Sequence, residues 1–176
     1  MQEADALDYV AAYTVGNDVS ARKLQLDPCF AGPMPQADFS KGFDSFAPLG
    51  PALVSTSLIP DPAELQLTTT VDGELRQQAS LRDLAFTVPR LIAFLSTGTT
   101  LLKGSIIMTG TPGGMFPKVA QMLKPHCSNG VGLTHLNKPL GIGSRMSPPR
   151  WLVPGTRVEV HIGKLGTLKH GVEFQR

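Results

Sequence analysis

Charge is scarce in this chain of 176 residues. Asp, Glu, Lys and Arg make up 17% of it, and the net charge is only +2. So weak a field does not gather nucleic acid, and no lysine or arginine run marks a membrane-surface patch. No apolar run approaches the roughly 20 residues of a spanning helix, so no membrane partner is expected. Cysteine occurs only at Cys29 and Cys127, far apart in the chain. That separation excludes zinc-ligand spacing and a disulfide framework, and two free thiols in a reducing compartment are expected. The start, Met1-Gln-Glu-Ala-Asp5, has neither the basic nor the apolar region of a secretory leader, so the expected location is cytoplasmic. A phosphate loop and a dinucleotide fingerprint are both missing, which rejects nucleotide binding. No internal repeat is present.

What the chain does have suits a single domain over 1–176, large enough to bury roughly 70% of its unfolded surface. Hydrophobic residues make up 41%, and glycine (18) and proline (15) are abundant, which favours strands and loops over a helical bundle. Apolar positions at Ala6, Leu7, Val10 and Ala11 predict an amphipathic helix over Glu3–Ala12, leading into a strand that ends near Asp18. A proline-rich loop covers Leu26–Ser40, Pro48–Pro51 is a tight connector, and Ala52–Ser55 a short buried strand. Leu65–Val71 alternates with period two before Asp72-Gly73 and a second extended run, the strongest local hairpin signal available. Thr87-Val-Pro89 opens a helix with an apolar stripe of Leu91, Phe94 and Leu95 that ends near Gly98. Ser105–Met108 is predicted as an apolar strand, and Arg157–Ile162 with Thr167–Phe174 as a final strand pair. From Met115 to Pro148 no period is sustained beyond a short helix over Pro117–Lys124. Strand runs with a few helices indicate an α+β fold.

The densest chemistry lies in Tyr13-Thr-Val-Gly-Asn-Asp-Val-Ser-Ala-Arg22, followed by Gln25 and by Lys41-Gly-Phe-Asp-Ser45. A strand would deliver Asp18 to a cleft at the glycine turn. With Ser20 capping a short helix, Arg22 and Gln25 share one face just beyond it. The group reads as a hard-metal carboxylate beside donors for an anionic oxygen, or equally as a strand-to-helix turn with a capping acid and a surface ion pair. Tyr13 reads as core. All four histidines, His126, His135, His161 and His170, read as structural or solvated.

These two motifs, the second extending through Phe46-Ala-Pro-Leu-Gly-Pro51, are followed by Thr109-Gly-Thr-Pro-Gly-Gly114. Three motifs in this order resemble the fumarylacetoacetate hydrolase family, over about Glu3–Phe116 and again over Pro149–Val172. The resemblance implies a mixed β-sandwich or β-roll with a few flanking helices, of which this chain carries the C-terminal catalytic domain without its usual N-terminal part. It implies that Asp18 ligates Mg²⁺ or Mn²⁺, with Lys41 and Ser45 beside the metal. Lys41, Arg22 and Gln25 become the catalytic set, Lys41 stabilising an enolate or holding a carboxylate. Arg22, Gln25 and Thr111 contact substrate oxygens. Residues 116–148 become an insertion, read as a surface loop.

Departures accompany the matches. Family members carry a Glu-x-Glu pair and a general-base histidine upstream of the aspartate strand, whereas this sequence starts 17 residues before Asp18. Lys23 replaces an acid and His170 an amide common in the family. The expectation is half of an active site, with weak metal binding. The implied activity is hydrolysis of a C–C bond in a small diketo or α-keto acid through a metal-stabilised enolate. Keto-acid decarboxylation or isomerisation is the alternative within the family, and a catalytically impaired dimerising or scaffold subunit the alternative outside it. A keto acid and a second copy of the chain, as a homodimer, are the expected partners.

Overall fold

A computed structural model of the chain describes residues 1–112 and 151–174. Its strands are antiparallel throughout. β1 (Ala12–Gly16) pairs with β2 (Leu49–Ser55) as a two-stranded ribbon. β3 (Gln66–Val71), β4 (Glu74–Ser80), β5 (Arg157–Ile162) and β6 (Gly166–Gly171) form a sheet in the order β4-β3-β5-β6. The helices are short: α1 (Arg22–Leu26), α2 (Pro28–Ala31), α3 (Val88–Leu95), and 3-10 turns that include Glu3–Tyr9 and Phe39–Lys41. This is the α+β sandwich expected, with few helices.

The core sits between ribbon and sheet. Val158, Val160 and Ile162 alternate inward along β5 while Arg157 and His161 face out, the period-two pattern of a half-buried strand. Onto them pack Leu165, Leu168, Val71, Leu65, Ile59 and Val15 of β1, which is fully buried. The β3–β4 hairpin closes as its sequence demands: Asp72 and Gly73 both take positive φ (50° and 82°), the type I′ combination whose twist matches the strands. Asp72 also locks the hairpin to β5, its N–H donating to the Arg157 carbonyl (2.9 Å) and its Oδ1 accepting from the Arg157 N–H (2.8 Å). At the start of β6, Gly166 (φ 96°) lies against β2. A Cβ there would stand 3.0 Å from Pro51 Cγ.

Several local expectations fail for identifiable reasons. Glu3–Tyr9 is a 3-10 helix in which only Ala6 is buried, because at about three residues per turn the α-helical stripe of Ala6, Leu7 and Val10 no longer lies on one face. Ser20 caps nothing; the α1 N-cap is Ala21, and the Ser20 hydroxyl serves Asp18 and Lys41 instead. Leu26–Ser40 is not all loop, since Asp27 accepts from the Cys29 N–H and, with Pro28 in the first turn, nucleates α2. β2 begins at Leu49 and is largely exposed, with Leu53 at 79%, because only one face meets β6. In α3 the buried residue is Ile92, while Phe94 is 71% exposed; Ser96, not Gly98, ends the helix.

Ser105–Met108 forms no strand, pairing with none of the described strands, and Ile106 is left exposed. Cys29 is disulfide-bonded rather than a free thiol. Cys127, His126, His135, the Pro117–Lys124 helix and the 116–148 insertion lie outside the described residues. Among the described residues no helix is long and apolar enough to cross a membrane.

Val158→Ala is expected to lower unfolding free energy by about 2 kcal/mol, from lost burial of two methyl groups and the void they leave. Arg157→Ala, on the outer face, should stay within about 0.5 kcal/mol. Urea unfolding monitored at Trp151 and by circular dichroism checks both, and equal costs would place the core elsewhere.

Candidate functional site

The turn after β1 is stitched to the segment carrying Lys41. The Asn17 N–H donates to the Pro48 carbonyl (3.1 Å), and the Ala21 N–H to the Ser40 carbonyl (2.8 Å). Ser40 is wholly buried, its hydroxyl donating to the Ala37 carbonyl (2.9 Å), so the short 39–41 turn is fixed from below. Lys41 therefore projects at the Asp18 turn. Its ammonium forms an ion pair with the Asp18 carboxylate and donates to the Ser20 hydroxyl (2.9 Å), which itself donates to the Asp18 carbonyl (3.2 Å). Asp18 and Lys41 are both partly exposed, so this pair by itself contributes little stability. Its geometry is the informative part, because a charged donor and a carboxylate separated by 23 positions meet at one point.

Arg22, first residue of α1, stands behind this pair and donates to the Gln25 carbonyl oxygen. Burial draws the Arg22 guanidinium below its ordinary pKa, and the negative charge of Asp18 acts in the opposite sense. A half-buried cation facing a carboxylate is suited to receive a second, exogenous anion. Gln25 is 6% exposed, and in this arrangement its carbonyl holds Arg22 in place.

Two other sequence candidates sit apart. Ser45 is exposed, takes a left-handed backbone (φ 64°), and makes no hydrogen bond to Asp18 or Lys41 among the described residues. Thr111 is exposed and is held not by the Asp18 turn but by Gln77 of β4, whose amide donates to its hydroxyl (2.8 Å). The segment leading to Thr111 does pass the end of β1, where a Cβ on Gly16 would stand 3.0 Å from Met108 Cε. Tyr13 packs against the core as expected, and burial, followed by the charge of Asp61, raises its pKa.

Three residues at the site were not foreseen in these roles: Ser20, Gln77 and His170. His170 Nε2 lies 2.9 Å from Asn17 Nδ2 and its Nδ1 3.3 Å from the Gly171 carbonyl. The tautomer that satisfies both contacts carries the proton on Nδ1 and accepts from Asn17 at Nε2. β6 is thereby tied to the residue preceding Asp18. Such a contact between residues 153 positions apart leaves no trace in local sequence. His161, by contrast, is exposed beside the Thr167 hydroxyl (2.9 Å).

The donor set decides how much of a divalent-metal site is present. Asp18 supplies one carboxylate, already matched by Lys41, and the described residues contain no group of three acidic, histidine or cysteine side chains that could enclose a cation. A hard cation of this kind needs more oxygen ligands than one carboxylate. These residues therefore do not by themselves constitute a closed magnesium or manganese site. An apolar groove of about 280 Å³ between Leu7, Pro62, Leu81, Leu84 and Val88 is lined by none of the candidate residues.

With this geometry in place, comparison with known proteins is informative. The sequence description of the fumarylacetoacetate (FAA) hydrolase C-terminal family matches residues 1–173. A Burkholderia cenocepacia protein, named only as an inferred hydrolase, is 45% identical over 133 residues, covering 70% of this chain and 45% of its own length. Among solved structures, a fumarylacetoacetate hydrolase from psychrophilic Exiguobacterium antarcticum is 30% identical with a TM-score of 0.76, over 99% of this chain and 51% of that one. A fumarylpyruvate hydrolase from Pseudomonas aeruginosa, solved with Mn²⁺ and pyruvate, is 25% identical with a TM-score of 0.71, over 99% of this chain and 59% of that one. The chain thus spans less than half the length of the curated relatives it matches and little more than half of the solved ones. By sequence over nearly all its residues and by fold, it belongs to the fumarylacetoacetate hydrolase family, in the part that forms the C-terminal domain.

Proposed function

We propose that the Asp18, Arg22 and Lys41 group, with Thr111, binds a small diketo or α-keto acid and takes part in cleaving its C–C bond. The observation that carries this reading is the Lys41–Asp18 ion pair at a turn fixed from both sides, with the Arg22 guanidinium near enough to feel the charge of Asp18 while Gln25 holds it. A relative solved with Mn²⁺ and pyruvate supports the ligand class. In such a hydrolysis water adds to one carbonyl of the diketo acid. The adjoining C–C bond breaks with its electron pair passing to the enolate of the 2-oxo acid, and a proton on carbon then restores the ketone. Lys41 is the donor placed to hold the carboxylate or the developing enolate oxygen, where a fixed cation stabilises charge that grows during reaction. Arg22, gripped by Gln25, offers a planar pair of donors to the carboxylate. Decarboxylation and keto–enol isomerisation pass through the same enolate, and product analysis separates the three.

The cation expected at Asp18 is Mg²⁺ or Mn²⁺, held weakly because further oxygen ligands must come from outside the described residues. A second reading, a catalytically impaired subunit that serves as a dimerising scaffold, is favoured by that same short donor set. The exposed apolar side chains Leu49 and Leu53 of β2, and the exposed Ile106, support a homodimer under either reading.

Calorimetric titration of Mg²⁺ and Mn²⁺ into the chain should give a dissociation constant on the order of millimolar, well above that of a complete carboxylate site. Asp18→Ala should abolish this binding. Lys41→Ala should tighten it a few-fold, since the ammonium competes with the metal, yet remove any loss of diketo-acid absorbance. Micromolar affinity with turnover by the parent chain would overturn the partial-site reading, and millimolar affinity without turnover would favour the scaffold. For assembly, sedimentation at micromolar concentration should show a dimer. A stable monomer would sink that proposal.

A further inference from the structure

The polar contacts around Gln77 settle a question of hydrogen-bond polarity at Thr111. Along β3 and β4 the register runs Thr70 opposite Leu75 and Thr69 opposite Gln77, so Arg76 is an extra residue, a β-bulge. The bulge breaks the alternation of β4 and leaves Arg76 and Gln77, neighbours in sequence, both buried. Gln77 is 3% exposed, and all of its amide is engaged. Its Oε1 accepts from the buried Thr69 hydroxyl (3.0 Å), and its Nε2 donates to the Thr111 hydroxyl (2.8 Å) and to the Pro112 carbonyl (3.1 Å).

The Pro112 contact fixes which end of the amide is which. A carbonyl oxygen only accepts, so the atom facing it is the NH₂ group, and the flipped amide would set two acceptors against each other. Thr111 Oγ1 is then an acceptor toward Gln77. A hydroxyl has one proton, and that proton turns away from the sheet. Its described internal acceptor, the Pro112 carbonyl at 3.4 Å, is at the far limit of a hydrogen bond.

We propose that Gln77 is a positioning residue that fixes the exposed Thr111 hydroxyl as a donor, so that this part of the site selects ligands presenting a carboxylate or carbonyl oxygen. The inference rests on the keto-acid reading above for the identity of the ligand, but not for the polarity itself. Gln77→Glu inverts the arrangement: a carboxylate at position 77 repels the Pro112 carbonyl and takes the Thr111 proton, turning the donor inward. Gln77 would thus act on the ligand without touching it.

Two measurements on the whole 176-residue chain test this. In ¹⁵N NMR, both Gln77 side-chain amide protons should be protected from exchange. Thr111→Val should release one of them, whereas Thr111→Ser should not. Free exchange of the Gln77 amide in the parent overturns the proposal without reference to any ligand. The second measurement is pyruvate affinity at saturating Mn²⁺, read by calorimetry, with thermal unfolding followed in parallel. Thr111→Val and Gln77→Glu should each weaken binding about tenfold, the effect of losing one hydrogen bond to a charged group. The double variant should match either single one within about twofold, because both remove the same donor. Losses that multiply to about a hundredfold overturn the relay, and retained affinity in Thr111→Ser beside lost affinity in Thr111→Val supports it should Gln77→Glu fail to fold. A protected amide with no pyruvate binding by the parent overturns the keto-acid reading and leaves the polarity standing.

Discussion

Val15 is the only member of β1 that the solvent does not reach, and its burial against β5 and β6 decides where Asp18 stands. The ribbon of β1 and β2 is too small to be stable alone. It is held as a layer because one side of it, through Val15 and Val54, joins the apolar face of the four-stranded sheet. Once Val15 is pinned, Gly16 ends the strand at the edge of the core and the chain turns outward at Asn17. The backbone bonds from Asn17 to Pro48 and from Ala21 to Ser40 then specify a short arc, and Asp18 is at its crest. Hydrophobic burial thus sets the position of a charge that is not itself part of the core.

Electrostatically the arc is a compromise. The Asp18 carboxylate is matched by Lys41, with the Arg22 guanidinium nearby, so the arc offers little net charge to a loose cation or anion. Any ligand that binds must replace one partner of an existing pair. An anion would have to compete with Asp18 for Lys41 and a cation with Lys41 for Asp18, while Arg22 is held by Gln25. In the charge-matched state the site is therefore undemanding to fold, and its selectivity lies in what an incoming group offers in exchange.

Legibility followed the range over which each feature is encoded. Asp72-Gly73 and the alternation around it specify a hairpin within a dozen residues, and the structure contains it. Asp18 and Lys41 were legible as members of neighbouring motifs, but the direct pairing of their side chains was not, and Ser20 was read only as a helix cap. Gln77 and His170 were invisible because their partners, Thr111 and Asn17, are 34 and 153 positions away. Ser105–Met108 carried a strong strand signal that its surroundings do not use: an apolar extended segment becomes a strand only where another edge accepts its hydrogen bonds. Phe94 erred differently. Its place on the stripe was inferred from spacing, but α3 is barely two turns long, and a small rotation moved Ile92 inward in its stead.

The clasp between Asp72 and Arg157 also sets an order of events in time. Hairpin closure around Asp72 is local and belongs to the microsecond range, whereas β5 must be recruited across 85 positions. During that interval β3 has one satisfied edge and one open one, and Leu67 and Val71 lack the core neighbours, Val15 of β1 among them, that later surround them. The Thr69–Gln77 contact, internal to the hairpin, is available from the start, so the polar groove that receives Thr111 is shaped before the greasy one closes. Newly made chains consequently pass through a stage in which their stickiest surface is displayed beside a finished piece of the site. Exposed apolar surface of that kind is where association between unfinished chains begins.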